Sequence, residues 1–234
     1  MTGTGGDTGG GGGEPTPTPV GDLPSGLELP VSPDAVNLRG VVNPFGVVRW
    51  SLDRPEVGHP GIDISVDEGT PFVAAGDGSI LSVQPATDGL PGNDVQVLLS
   101  PGAIAGTGWV FEYEHVRLEA SLSVGSQVSR GQTLARSATS AAFTNHLELS
   151  EVFNEQGFTR NQTCWVPQLE AGDRARLENH FNNVLRTGPR FISSWQTIVQ
   201  EGLFVFRELL NLAKYPSGAQ LCYPPGTDSR VTAS

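Results

Sequence analysis

Short apolar or alternating runs, separated by Gly, Pro and Asp, occupy the chain from about residue 31 to 152. The stretch GTPFVAAGDGSILSVQPA, residues 69–86, predicts a strand, an Asp-Gly hairpin turn and a second strand. Four further runs have the alternation typical of strands: NDVQVLLS, GWVFEYEHV, GSQVSRGQTLAR and NHLELSEVF. The pattern therefore predicts a mainly β fold, an antiparallel β-sandwich or barrel-like sheet.

The last third of the chain has helical periodicity instead. Residues 169–186 place their apolar side chains near one helical face, and residues 193–214 continue at mostly three- and four-residue spacing. Ser193 and Gln196 resemble a capping box at the start of the second segment. Because the turn TGPRF lies between the two segments, the sequence predicts a C-terminal α-helical hairpin.

The first 29 residues contain almost no apolar side chains and consist mainly of Gly, Thr and Pro, a composition typical of a disordered tether. No Gly-Lys-Ser/Thr follows the glycines, so they do not form a phosphate-binding loop. We divide the chain into a tether at residues 1–29, a β domain at 30–155 and a helical extension at 156–234.

The formal net charge is −11 and no basic run occurs, which argues against nucleic acid as a partner. The sequence has no apolar run of transmembrane length and no signal peptide. A glycine-rich tether directly after Met1 resembles the mature start of an exported lipoprotein whose signal and lipid-bearing cysteine have been removed. We therefore expect a periplasmic or cell-surface location and a lipid anchor through that removed cysteine.

Both cysteines, Cys164 and Cys222, lie in the last third of the chain, and their spacing matches no paired-cysteine zinc motif. In an exported protein they would form a disulfide, and in a cytosolic protein they would be two buried thiols. We expect the disulfide, because the tether also indicates a location outside the cytoplasm.

In the stretch EVGHPGIDIS, residues 56–65, His59 stands four residues before Asp63. Pro60 and Gly61 exclude a helix here and favour a tight turn, which would bring the two side chains together. A histidine nitrogen and a carboxylate oxygen suit a cation such as zinc. The alternative is an exposed turn with two unrelated polar residues, so this pair needs support from the rest of the chain.

Two further histidines lie in the β region. His115 ends a predicted strand, while His146 and Glu148 are two residues apart and would share one face of another. Taken singly, His115 could be a hydrogen-bonded residue at a strand end and Glu148 a solvated carboxylate. The fourth histidine, His180, lies in a predicted helix and is expected to be a surface or packing residue.

These segments, taken in order and spacing, resemble the lysostaphin/LytM-type zinc metallopeptidases. The resemblance covers residues 43–152 and rests on GHPGID, on GTPFVAAGDGSI, on YEHV, on VGSQVSRGQTLA and on NHLELSE. It implies a LytM-like metallopeptidase domain at residues 30–155, with peptidoglycan cross-bridge or stem peptides, or another glycine-rich peptide, as the substrate.

The resemblance also implies roles for individual residues. His59 and Asp63 correspond to the family's first two zinc ligands, and His115 and His146 to its catalytic histidines. The last motif of the family is usually His-x-His, with the second histidine as the third ligand, and Glu148 stands at that position here. The expected metal ligands are thus His59, Asp63 and Glu148.

A second carboxylate ligand would weaken the metal as a Lewis acid and would also admit manganese, or leave the site without metal. Two functions therefore remain open at this point. One is a metal-dependent endopeptidase, and the other is a catalytically degenerate module that binds peptidoglycan or regulates a partner hydrolase. The helical extension could contact a partner protein. A serine hydrolase is disfavoured, since no Gly-x-Ser-x-Gly motif occurs.

Overall fold

The computed structural model describes residues 21–35, 45–48, 58–64, 66–86, 90–102, 105–139, 145–152, 159–187 and 221–228. Eleven strands occur in these ranges: β1 (Phe45–Val48), β2 (Ile62–Ile64), β3 (Pro71–Val73), β4 (Gly78–Pro85), β5 (Asn93–Pro101), β6 (Gly108–Leu118), β7 (Gln127–Val128), β8 (Thr133–Ser137), β9 (Asn145–Val152), β10 (Thr159–Thr163) and β11 (Cys222–Asp228). One helix, α1, spans Ala171–Thr187, and short 3-10 turns occur at Pro33–Ala35 and Val166–Gln168.

Nine of the strands form one antiparallel sheet. Its main path runs β10-β9-β6-β5-β4-β7, with β2 on β9 and with β8 joining β3 to β6. The remaining two strands, β1 and β11, pair in parallel. The predicted antiparallel β domain is confirmed, and its strands fall where the alternating runs of the sequence lie.

The core lies on one face of this sheet. Phe111 and Tyr113 of β6 are fully buried there, as are Leu147 and Leu149 of β9. The Tyr113 hydroxyl accepts a hydrogen bond from the Ala75 N–H at 2.7 Å. Because side chains alternate along a strand, the residues between these apolar positions project from the opposite face. That opposite face carries the candidate site.

Residues 27–31 differ from the sequence prediction. Leu27 and Leu29, assigned to the tether, are buried in the core together with Val31. Leu27 also forms a bridge with Leu169 at the other end of the described domain. The apolar side chains near the end of the low-complexity segment therefore pack on the sheet, while residues 1–20 lie outside the described residues.

The C-terminal region is described in part. The first predicted helix corresponds to α1, whereas the second, at residues 193–214, lies outside the described residues. Cys164 and Cys222 are joined by a disulfide, with their Cα atoms 5.8 Å apart. Trp165 and Leu177, both from the predicted extension, belong to the same core as the sheet. The predicted division into separate domains thus stays a prediction. Among the described residues, no helix has the length and apolarity needed to cross a membrane.

Candidate metal site

The site begins in the turn that leads into β2. His59 and Asp63 lie at the two ends of this turn, and β2 pairs antiparallel with β9 so that Asp63 stands directly opposite His146. Gly61 makes this approach possible, since a Cβ atom at that position would lie 2.5 Å from His146 Nε2 and would also overlap the Leu147 carbonyl oxygen. The Pro-Gly turn therefore has a packing role as well as a conformational one.

Three side chains meet at this point. Asp63 Oδ1 lies 3.2 Å from His59 Nε2 and 2.8 Å from His146 Nδ1. The two imidazole rings are 4.8 Å apart in an edge-to-face arrangement. All three residues are buried, and each offers a ligand atom within 4.8 Å of the other two. The turn thus brings His59 and Asp63 together as the sequence predicts.

Glu148, the third metal ligand that the sequence predicts, lies beside His146. It lies two residues after His146 on the same face of β9, and its Oε2 is 3.4 Å from His146 Nε2. The group of potential ligands among the described residues contains His59, Asp63 and His146 but not Glu148. Sequence spacing alone did not distinguish these two neighbours, because positions i and i+2 of a strand share a face.

Contacts within this group shift the pKa values of Asp63 and His146. Burial by itself would raise the pKa of Asp63, but the attraction of His59 and hydrogen bonds to His146 and His59 hold it well below its usual value. Burial by itself would lower the pKa of His146, but hydrogen bonds to Asp63 and Glu148 raise it well above its usual value. His146 thus contacts Asp63 through Nδ1 on one side and Glu148 through Nε2 on the other.

Two carboxylates of β6, which the sequence analysis did not single out, extend this polar face. Glu112 pairs in register with Glu148 across β6 and β9. Burial, together with repulsion from Glu148 and Glu114, raises the pKa of Glu112 to about 8. Burial is also the main reason that the pKa of Glu114 rises to about 7. The alternation in the sequence FEYEH could have identified these two glutamates, because it places both of them on the face of the sheet that Tyr113 does not share.

His115, the second predicted catalytic histidine, is also buried. Its backbone is in the left-handed region, with φ of 59°, which is unusual for a residue other than glycine. Its Nε2 lies 3.9 Å from Glu114 Oε2, and the charge on Glu114 in turn acts on His146 and Asp63. His115 is thus linked electrostatically to the three-residue cluster through Glu114.

The donor set of the cluster fits zinc. With bonds of 2.0–2.1 Å, tetrahedral zinc separates its ligand atoms by about 3.3 Å. The distances from Asp63 Oδ1 to the two histidine nitrogens, 3.2 and 2.8 Å, are close to that separation. Two histidines and one carboxylate also form a ligand set typical of catalytic zinc sites, which leave a fourth position for water or substrate.

One face of the sheet thus carries a His-Asp-His cluster whose donor set could hold a catalytic metal ion. Residues 57–158 match the family model described as Peptidase family M23. The match covers fewer than half of the residues of the chain, and it agrees with the resemblance to lysostaphin/LytM-type enzymes.

Three solved structures align with part of the chain. Helicobacter pylori Csd3 is 22% identical over 67% of this chain and 38% of its own, with a TM-score of 0.40. The catalytic domain of the antimicrobial peptidase lysostaphin from Staphylococcus simulans is 20% identical over 51% of this chain and 85% of its own, with a TM-score of 0.39. A zinc-containing peptidase from Vibrio cholerae is 20% identical over 47% and 37%, with a TM-score of 0.33. No curated protein matches the sequence.

Proposed function

We propose that the protein is a zinc-dependent endopeptidase that cleaves cross-bridge or stem peptides of peptidoglycan. The observation that carries the proposal is the meeting of His59, Asp63 and His146, whose ligand atoms all lie within 4.8 Å of one another, with Asp63 Oδ1 at 3.2 and 2.8 Å from the two histidine nitrogens. The match of residues 57–158 to the model of Peptidase family M23 supports the reaction, and the resemblance to lysostaphin/LytM-type enzymes supports the substrate class. The proposal places the protein in the cell envelope, exported and held by a lipid anchor.

In this proposal His146, rather than Glu148, is the third metal ligand. His146 presents Nδ1 toward Asp63, while its Nε2 faces Glu148. A carboxylate that accepts a hydrogen bond from the distal nitrogen of a metal-bound histidine fixes the orientation of the ring and increases its basicity. Glu148 thus supports a ligand instead of being one. The donor set then has a single carboxylate, which favours zinc over manganese.

The remaining groups would handle substrate and protons. When bound, zinc supplies Lewis acidity for the carbonyl of the scissile peptide. His115 would transfer a proton during cleavage, as the family resemblance implies. Glu114, whose pKa of about 7 lets it exchange a proton near neutral pH, lies beside His115 and would assist this transfer.

A specific observation favours the second candidate, a catalytically degenerate module that binds peptidoglycan or regulates a partner hydrolase. If His146 is the second histidine of the His-x-His motif, then Thr144 stands where the first, catalytic histidine is expected. His115 would then be left without its catalytic partner histidine. A domain that keeps its metal but lacks one proton carrier would bind a peptide more readily than cleave it.

Metal analysis of three variants tests the ligand assignment. We expect near-stoichiometric zinc in the wild-type protein, and loss of that zinc in both His59→Ala and His146→Ala. Glu148→Gln keeps the shape of the side chain and should still bind zinc, with an affinity lowered about 10- to 100-fold, as is typical when a partner of a ligand is changed. Complete loss of zinc in Glu148→Gln, with retention in His146→Ala, would instead identify Glu148 as the ligand.

Hydrolysis assays then separate the two functions. Purified peptidoglycan and a glycine-rich peptide are incubated with the zinc-loaded protein, with His59→Ala as the matched inactive control. Release of new amino termini by the wild-type protein alone would support the endopeptidase. Sedimentation of the protein with peptidoglycan, without release of amino termini, would support the binding module.

A further inference from the structure

Strand β6 changes partner in the middle of its length. Residues from Gly108 to Tyr113 pair with β9, and residues from Val116 to Leu118 pair with β8. Glu114 and His115 lie between these two segments of β6, in register with neither β8 nor β9. Backbone carbonyls at such a point need partners from elsewhere, because a buried carbonyl without one costs free energy comparable to a lost hydrogen bond.

The side chain of Asn145 supplies those partners. Its Nδ2 donates hydrogen bonds of 3.0 Å to the carbonyl oxygens of both Glu114 and His115. Its Oδ1 accepts a hydrogen bond of 2.9 Å from the Ser137 hydroxyl on β8. Asn145 is fully buried, at the first position of β9. One amide therefore connects all three strands at the point where β6 changes partner.

This is also the point at which the backbone is strained. His115 has a positive φ of 59°, a conformation that is unfavourable for a residue other than glycine and persists only where the surroundings hold it. The Ala138 N–H donates a second hydrogen bond to the His115 carbonyl, at 2.8 Å. On the other side, Gly92 packs so closely that a Cβ atom there would lie 2.7 Å from the His115 carbonyl carbon.

We propose that Asn145 is a positioning residue that holds His115 in its left-handed conformation and thereby sets where the imidazole lies relative to the metal cluster. Asn145 directly precedes His146 in the sequence, but its side chain bonds to Ser137, Glu114 and His115 and not to the metal ligand. This inference rests on the proposed function for the catalytic role of His115. The connection between the strands and the His115 backbone is independent of that role.

The test compares Asn145→Ala with Trp165→Phe. The first variant removes both hydrogen bonds to the β6 carbonyls. The second is a matched control, since it removes one buried hydrogen bond, from Trp165 Nε1 to the Leu147 carbonyl oxygen of β9, and leaves the Asn145 hydrogen bonds in place. We also examine Asn145→Ser, which leaves a smaller cavity and keeps one hydroxyl donor, so that the test does not depend on the folding of the alanine variant.

The first readout is independent of activity. The chain has four histidines, so the Cε1–H signals of the imidazoles are few enough to assign by NMR with His115→Ala as reference. We expect the His115 signal to shift or broaden in the Asn145 variants and to stay unchanged in Trp165→Phe. An unchanged His115 signal in folded Asn145→Ala would overturn the inference, whether or not the wild-type protein hydrolyses peptides.

The second readout is kinetic. If the wild-type protein is active, kcat of Asn145→Ala should fall about 100-fold, the loss typical of a misplaced catalytic group, while KM and zinc affinity stay unchanged. Trp165→Phe should keep its kcat. An equal loss of kcat in both variants would show a general structural role and contradict the inference. No hydrolysis by the wild-type protein would count against the proposed function alone, and the NMR result would then decide the positioning role.

Discussion

Asp63 and His146 stand opposite each other on two antiparallel strands, and their side chains meet at 2.8 Å. The two residues are 83 positions apart in the sequence. Their register brings a carboxylate and an imidazole to the same side of the sheet, where His59 from the preceding turn joins them. A small shift of β2 relative to β9 would separate the three groups, so the metal site depends on the exact pairing of these two short strands.

Gly61→Ala should weaken metal binding strongly by displacing His146. The added methyl group would lie 2.5 Å from His146 Nε2 and overlap a backbone carbonyl of the same strand, so the turn or the imidazole must move. Zinc affinity measured by competition with a chelator is expected to fall at least as far as in Glu148→Gln. Gly172→Ala is the control, since a Cβ atom at that exposed position meets nothing within 4 Å. Equal zinc affinity in the two glycine variants would contradict the packing argument.

Glu112→Gln should stabilise the metal-free protein at pH 8 and have little effect at pH 5. The pKa of Glu112 is about 8 in the folded protein, against an ordinary value of 4.5. Between these values the folded state binds a proton that the unfolded state has lost, so stability falls as pH rises through this window. Because glutamine has no carboxyl group to ionise, Glu112→Gln should not show this fall in stability. Thermal unfolding at both pH values, in the presence of a chelator, measures the difference.

The control for this change is Glu178→Gln, which removes the same charge from an exposed position on α1. We expect its melting temperature to follow that of the wild-type protein at both pH values. An equal rise in the melting temperature of both variants at pH 8 would indicate a general effect of net charge. It would contradict a specific effect of the carboxylates around Glu148.

Reduction of the Cys164–Cys222 disulfide should destabilise the protein substantially. The bond joins residues 58 positions apart, and closing a loop of that length restricts the unfolded chain by about 4 kcal/mol on the chain-entropy estimate. The double variant Cys164→Ser/Cys222→Ser should therefore unfold at lower denaturant concentration than the oxidised wild-type protein. If reductant lowers the denaturation midpoint of the wild-type protein and leaves that of the double variant unchanged, the effect belongs to this bond.

Removal of residues 1–20 and removal of residues 1–31 should have different consequences. The longer deletion takes away three buried side chains, Leu27, Leu29 and Val31, each worth about 1.5–3 kcal/mol of burial. It also removes the Gly21 carbonyl that accepts a hydrogen bond from Trp109 Nε1. The shorter deletion removes only the part of the predicted tether that has almost no apolar residues. A melting temperature that is lowered by the longer deletion alone is the expected result.

Much of the candidate site could be predicted from local sequence. The Pro-Gly turn predicted the contact between His59 and Asp63, because few backbone conformations satisfy both residues. The period-two alternation predicted the strands around His115 and His146, because apolar side chains of a half-buried sheet must share one face. The cysteine count and the low-complexity start of the chain predicted the disulfide between Cys164 and Cys222, which the structure contains.

Which of His146 and Glu148 stands opposite Asp63, in contrast, depends on how β2 pairs with β9. Both residues lie on the same face of β9, and only the register shows which of them stands opposite Asp63. The role of Asn145 could not be predicted from the sequence either, since it depends on the point at which β6 stops pairing with β9 and begins to pair with β8. Local patterns determine which face a side chain takes, because that is a property of neighbouring residues. Tertiary structure decides which side chains meet, because register is fixed by contacts between segments that are distant in the sequence.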